Sequence, residues 1–184
     1  DGRVSASDLV ERHLERLAAV QPTINAAVEV FADRARAEAA QPRPGALSGL
    51  PISIKETFAL SGCRITAGSR VMAPVDCQED AVAVRRLRDA GAIVLARGNV
   101  PEFAMAAETE NPRFGRSANP LAPAHTCGGS SGGDAALVAA GCVAAGLGSD
   151  ILGSIRIPAA FCGLVGFKPA SQAVPKAGMW PEIP

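Results

Sequence analysis

The stretch EDAVAVRRLRDAGAIVLA, residues 79–96, decides the fold. Val82, Leu87 and Ala90 fall on one helical face, Gly91 supplies a C-cap, and AIVLA is the kind of short apolar run that fills a buried strand. A helix, a glycine and a buried strand in repeated order imply an α/β fold with a sheet sandwiched between helices. Downstream, the Ala-rich run 134–146 predicts a helix behind the Gly/Ser-rich loop GGSSGG, residues 128–133, with Asp134 near its positive end. Upstream, LPISIKETFAL, residues 50–60, has β-branched residues at 52 and 54 and reads as a strand running into a loop at Gly62. Before it, Ser5 or Ser7 caps a helix with Leu9, Val10, His13, Leu14 and Leu17 at helical spacing, predicted to end near Pro22. INAAVEVFADRARAEAA then passes from a short apolar piece into an Ala-rich helix closed by QPRPG. One domain over 1–184 is expected, with an N-terminal helical region, 1–44, and a core, 45–184.

Composition narrows the function classes. The 184 residues carry 18 basic and 18 acidic side chains, so there is no clustered positive charge for nucleic acid. The uncharged run AALVAAGCVAAGLG is 14 residues long, short of a membrane span. DGRVSASD lacks the basic start and apolar core of a signal peptide. Five cysteines form no CxxC pair and cannot close completely into disulfides, which points to a reducing, cytoplasmic setting. Neither His13 nor His125 has metal-ligand spacing to a second ligand, so no metal is expected.

GGSSGG admits three chemistries: a flexible linker, a phosphate cradle or part of a serine hydrolase. A Walker-type loop needs a lysine after its last glycine, and none follows here. The string matches G-x-S-x-G in registers centred on Ser130 and Ser131, but a nucleophile elbow needs its histidine after the serine, and both histidines precede it.

A further segment, GSDILGSIRIPAAFCGLVGFKP at 148–169, places a serine, an arginine and a proline among small and apolar residues. Together with PISIKETF, NVPEFAMAAETENPRFG and GGSSGG, in this order, it resembles the amidase signature family of serine hydrolases over residues 45–170. The resemblance implies a mixed sheet between helices, of which this chain holds the N-terminal part. It implies that Ser154 attacks an amide carbonyl, that Ser130 follows a cis peptide bond and relays a proton to Lys55, and that no cofactor is needed. The backbone N–H groups of Ile151, Leu152, Gly153 and Ser154 correspond to the family's oxyanion hole. Ser131, on the substrate side of the loop, is expected to serve as a hydrogen-bonding partner within it. A small-molecule amide is the implied substrate, released as a carboxylic acid and ammonia or an amine, and a homo-oligomer is compatible with this reading. The A subunit of a glutamyl-tRNA amidotransferase and a catalytically impaired relative are the alternatives. Those subunits typically carry SIRQPASFCG where this chain has SIRIPAAFCG.

Independent chemistry supports such a set. A serine hydroxyl needs a base to take its proton, and a lysine of ordinary basicity is charged at pH 7. Lys55 must therefore be depressed, with burial near Ile52, Ile54 and Phe58 as the expected cause. Arg156 is placed to pair with Asp150. Two positions depart from the family pattern. Cys127 stands where relatives often have proline, and Leu152 replaces the first of two glycines before the nucleophile. The latter predicts strain if the backbone there needs φ > 0.

Overall fold

The structure is a computed structural model and describes residues 4–181. In chain order its elements are α1 (Ala6–Ile24), β1 (Ala27–Val30), α2 (Ala32–Ala40), β2 (Pro51–Lys55), β3 (Arg64–Ile65), β4 (Val75–Asp76), α3 (Val82–Asp89), β5 (Ile93–Gly98), β6 (Ala118–Asn119), β7 (Ala122–Thr126), α4 (Gly132–Ala139), β8 (Ala145–Leu147) and α5 (Arg156–Phe161). A 3₁₀ turn, Glu102–Ala104, follows β5.

Four strands form the central sheet in the order β1-β5-β2-β8. β1 is antiparallel to β5, whereas β5, β2 and β8 run parallel, so the sheet is mixed, as the family resemblance implies. The parallel part follows from two helix–glycine–strand units. Gly91 (φ +99°) ends α3 and turns the chain into β5, and Gly141 (φ +72°) does the same between α4 and β8. The Ala-rich stretch 134–146 is thus not one helix: its last residues are the strand β8, because a left-handed glycine interrupts the helical path.

Side chains alternate across β5 and divide the core. Ile93 and Leu95 join Val10, Leu14 and Leu17 of α1, Ala35 of α2 and Leu137 of α4 on one face. Val94 joins Ile52 and Ile54 of β2, Val84 of α3 and Leu60 on the other. α3 buries Ala83 and Val84 most deeply, whereas Val82, Leu87 and Ala90 are only half-buried. Ser5 caps α1 by accepting the Asp8 N–H. The helix passes through Pro22 and stops three residues later, where Asn25 adopts a left-handed conformation. The proline removes only one bond near the helix end, which the buried Ile24 outweighs. β1, from within the first 44 residues, supplies the sheet's antiparallel edge. No helix among the described residues is long and apolar enough to cross a membrane. All five cysteines are free and buried.

Candidate active site

The C-terminal ends of parallel strands are where open α/β sheets place their chemistry. Here Lys55 ends β2, Gly98 ends β5 beside it, and the loop 148–155 leaves the end of β8. The β2 pleat puts Ser53 and Lys55 toward α4, while Ile52 and Ile54 face α3. Lys55 is fully buried. Its burial therefore comes from the α4 face, not from Ile52 and Ile54, which lie across the sheet. Nζ donates to Ser130 Oγ at 2.7 Å and to Ser149 Oγ at 2.9 Å. Loss of solvent pulls Lys55 down to about 8, against the opposing charges of Asp134, Asp150 and Glu56.

Ser130 reaches Lys55 from the turn that opens α4, after a cis Gly129–Ser130 peptide. This turn lies tight against its neighbours. A Cβ on Gly133 would stand 2.1 Å from Asn99 N and 2.6 Å from Ala26 O. The glycines of GGSSGG are therefore contact surfaces, which excludes the linker reading. The Ser131 N–H donates to Ser154 O at 3.0 Å. Its hydroxyl donates to Ser149 O and accepts the Ser149 N–H, each at 3.3 Å. Ser131 thereby ties the α4 turn to the loop after β8, and its hydroxyl is directed into that tie.

The second loop is organised by Asp150, whose side chain is sealed from solvent. Its carboxylate accepts the N–H groups of Gly153 (2.7 Å), Ile155 (3.1 Å) and Arg156 (3.3 Å), and the Arg156 guanidinium closes on it at 3.0 Å through Nε and Nη2. The guanidinium and these amides hold the carboxyl well below the usual range. Two expectations change. Positive φ falls on Gly153 (+122°), and Leu152 is not among the residues with positive φ, so leucine there carries no left-handed strain. The Gly153 N–H is also spent on Asp150, so it cannot point at an oxyanion. The N–H groups of Ile151, Leu152 and Ser154 have no internal acceptor among the described residues. Leu152 instead lies 90 % exposed, with Ile151, Phe161, Val165 and Phe167 also exposed.

Ser154 is half-buried, and its hydroxyl makes no hydrogen bond among the described residues. The structure thus joins Lys55, Ser130 and Ser149 directly, and brings Ser154 to them through its backbone bond with Ser131. Ser149 was not legible in the motifs. His125 is exposed, and the His13 ring bonds Leu9 O on α1. No group of three or more potential metal ligands occurs among the described residues.

Comparison with known proteins identifies the family. The A subunit of the glutamyl-tRNA(Gln) amidotransferase of Synechococcus sp. (strain CC9605) is 45% identical over 186 residues, which cover 97% of this chain and 38% of that protein. The native peptide amidase of Stenotrophomonas maltophilia superposes with a TM-score of 0.90 at 34% identity, covering 98% of this chain and 40% of the other. A chain from an inhibitor-bound vestigial protein complex, described as revealing the origins of an s-triazine catabolic enzyme, gives 0.92 at 39% identity, covering 98% and 41%. The chain therefore spans about two fifths of the relatives it matches. The Amidase family profile matches residues 8–183, and the chain belongs to that family.

Proposed function

We propose that this chain carries the nucleophilic and basic groups of an amide hydrolase acting through an acyl-enzyme on Ser154. The observation that carries the reading is the buried Lys55 amine bonded to the Ser130 hydroxyl at the opening of α4. The neutral amine accepts a proton from Ser130 Oγ as Ser130 takes one from Ser154 Oγ. The Ser154 oxygen bonds to the amide carbon, and the oxyanion is received by the free amides of Ile151, Leu152 and Ser154. Collapse breaks the C–N bond, and the relayed proton leaves on the nitrogen as ammonia or an amine. Water then attacks the ester, returning its proton along the same route and releasing the carboxylic acid. Every proton is accounted for without a cofactor. Ser149, the second acceptor on Nζ, holds the amine on the relay side.

Incubation with a fluorophosphonate followed by peptide mass spectrometry tests this. A single adduct on Ser154, lost in Lys55→Ala and in Ser130→Ala, is expected. Labelling elsewhere, or undiminished labelling in both variants, sinks the reading.

The likeness to amidotransferase A subunits favours a second reading, in which the ammonia released from glutamine serves a partner. Residue 157 distinguishes the two. Ile157 stands where those subunits typically have glutamine, and its Cδ1 lies 2.7 Å from where a Gly153 side chain would begin. It lays an apolar surface against the nucleophile loop and offers no hydrogen bond there, which favours an amide other than glutamine. Glutaminase activity exceeding that on apolar carboxamides would reverse this preference.

A further inference from the structure

Asp134 is absent from the chemistry above, yet it is the most unusual buried group beside it. It sits in the first turn of α4, 3 % exposed, with its carboxyl pressed onto the sheet. Three adjacent strands make room for it. Gly98 of β5 could bear no side chain, because a Cβ would stand 2.4 Å from Asp134 Oδ2. Gly146 of β8 would bring a Cβ to 3.0 Å from the Asp134 Cβ and 3.1 Å from Ser53 Oγ. Between them, Ser53 of β2 donates its hydroxyl to Oδ1 at 2.7 Å. These residues are in register: Gly98 is opposite Lys55, and Gly146 is opposite Ser53. The cradle holding the carboxyl is therefore built from the same strand ends that hold the amine. Oδ2 has no hydrogen-bond partner.

An unsatisfied oxygen on a fully enclosed carboxyl is costly when ionised, and a cradle this tight leaves no space to hydrate it. We infer that Asp134 is a positioning residue that sets the charge on Lys55 through space: ionised, it retains the ammonium, and protonated, it releases the amine. This rests on the reading of Lys55 as the base. Lys55 Nζ bonds Ser130 and Ser149, and no bond between it and Asp134 occurs among the described residues. The interaction is therefore electrostatic and needs no movement.

The surroundings support that role. Burial pushes Asp134 up to about 7, opposed by the Ser53 hydroxyl and by the charges of Lys55 and Arg97. Lys55 in turn feels Asp134, Asp150 and Glu56. Thus β2 presents Lys55 and Ser53 on the face of the carboxyl, β5 and β8 present only Gly98 and Gly146, and Arg97, bonded to Glu29 and to the carbonyls of Arg64 and Glu56, acts on it only through its charge. Asp134 is the foremost carboxylate raising Lys55. Both groups change charge near neutral pH, so a proton held on Asp134 lets the adjacent base be neutral at lower pH than it otherwise would.

The test reads the lysine directly. The chain has only three lysines, at 55, 168 and 176, so ¹³Cε-lysine NMR gives three resonances, and Lys55→Arg assigns the relevant one. In Asp134→Asn, Oδ1 keeps the Ser53 bond, and the amide nitrogen replaces an oxygen that has no partner to lose. The Lys55 midpoint should fall by about one pH unit, a tenfold change in the amine-to-ammonium ratio, because the carboxylate that favours the ammonium is removed. Ser53→Ala, which makes the carboxylate harder to ionise, should lower the midpoint in the same direction by less. A midpoint unchanged within about 0.2 unit in folded Asp134→Asn overturns the inference, since a purely structural residue would alter stability and leave this titration alone. Should Asp134→Asn not fold, an unchanged midpoint in Ser53→Ala overturns it equally. Absence of fluorophosphonate labelling at Ser154 in the unaltered protein, with the midpoint shift intact, would instead remove the hydrolase reading and leave the coupling standing.

Discussion

Replacing Lys55 with methionine should make this protein more stable at neutral pH and less stable at high pH. Methionine is close to lysine in volume and carries no charge, so it suits a site that is fully buried. Lysine is held at about 8 in the fold against 10.5 in the unfolded chain. That difference of 2.5 corresponds to a penalty of about 3 kcal/mol for carrying the ammonium in the folded state. The sign follows from proton counting. Between about pH 8 and 10.5 the unfolded chain keeps the proton that the folded chain has released, so wild-type stability rises with pH across that window. The penalty is present in full below it and relieved above it. Methionine removes the penalty and also removes the bonds to Ser130 and Ser149, which are worth about 1 kcal/mol each. The net effect is a gain of about 1 kcal/mol at pH 7 and a loss of about 2 kcal/mol near pH 11. Urea unfolding of both proteins at several pH values measures this. The absence of tyrosine leaves fewer groups to titrate in that range, and the buried cysteines are common to both proteins and cancel in the difference. A stability difference that does not vary between pH 7 and pH 10.5 would refute the claim that the fold holds a desolvated lysine.

Other outcomes can be checked with the same preparations. The rate of fluorophosphonate labelling at Ser154 should climb about tenfold per pH unit below the Lys55 midpoint near 8 and level off above it; a flat profile from pH 6 to 9 would remove Lys55 as the base. Gly133→Ala should cost about 3 kcal/mol or more in denaturant unfolding, because its methyl would meet the backbone of Asn99 and Ala26, and a loss below about 1 kcal/mol would mean the α4 turn can retreat. Leu152→Gly should leave labelling by a small fluorophosphonate within about threefold while speeding a bulky one, since its φ is not strained; a rise of tenfold or more with the small reagent would restore the strained-backbone reading. His125→Ala should leave labelling within about threefold, because the ring is exposed and no serine depends on it; a drop of about 10⁴ would revive a histidine triad.

How far the fold and site can be read from the chain depends on whether the signal is local. The α3–Gly91–β5 unit is local: helix spacing, a left-handed glycine and an apolar run lie within 18 residues, and the structure reproduces it. The α4–Gly141–β8 unit carries the same signal, yet alanine on both sides of the glycine hides the strand, because alanine suits a helix and fits a packed strand equally. That one ambiguity concealed Ser149. Once 145–147 is a strand parallel to β2, with Leu147 opposite Ile54, the next residues fall beside Lys55, and a hydroxyl at 149 is in reach of its amine.

The two remaining surprises are non-local. The sequence permits an Asp150–Arg156 pair but cannot show that the same carboxylate takes three backbone amides, because that depends on how tightly the loop curls. The curl is what relocates the backbone requirement. With Asp150 drawing in the amides of 153, 155 and 156, the left-handed residue must be the one at the mouth of the turn, Gly153, and the residue before it is freed. This explains why a glycine can be lost at 152 and not at 153. At 153 a side chain would meet Ile157 Cδ1 at 2.7 Å as well as an unfavourable φ, whereas at 152 it projects into solvent. A loop that fixes its own shape through one buried carboxylate can therefore vary the side chain at 152 without disturbing the backbone on either side of it. Position 152 is thus free to vary, while Asp150, Gly153 and Arg156 keep the backbone in place.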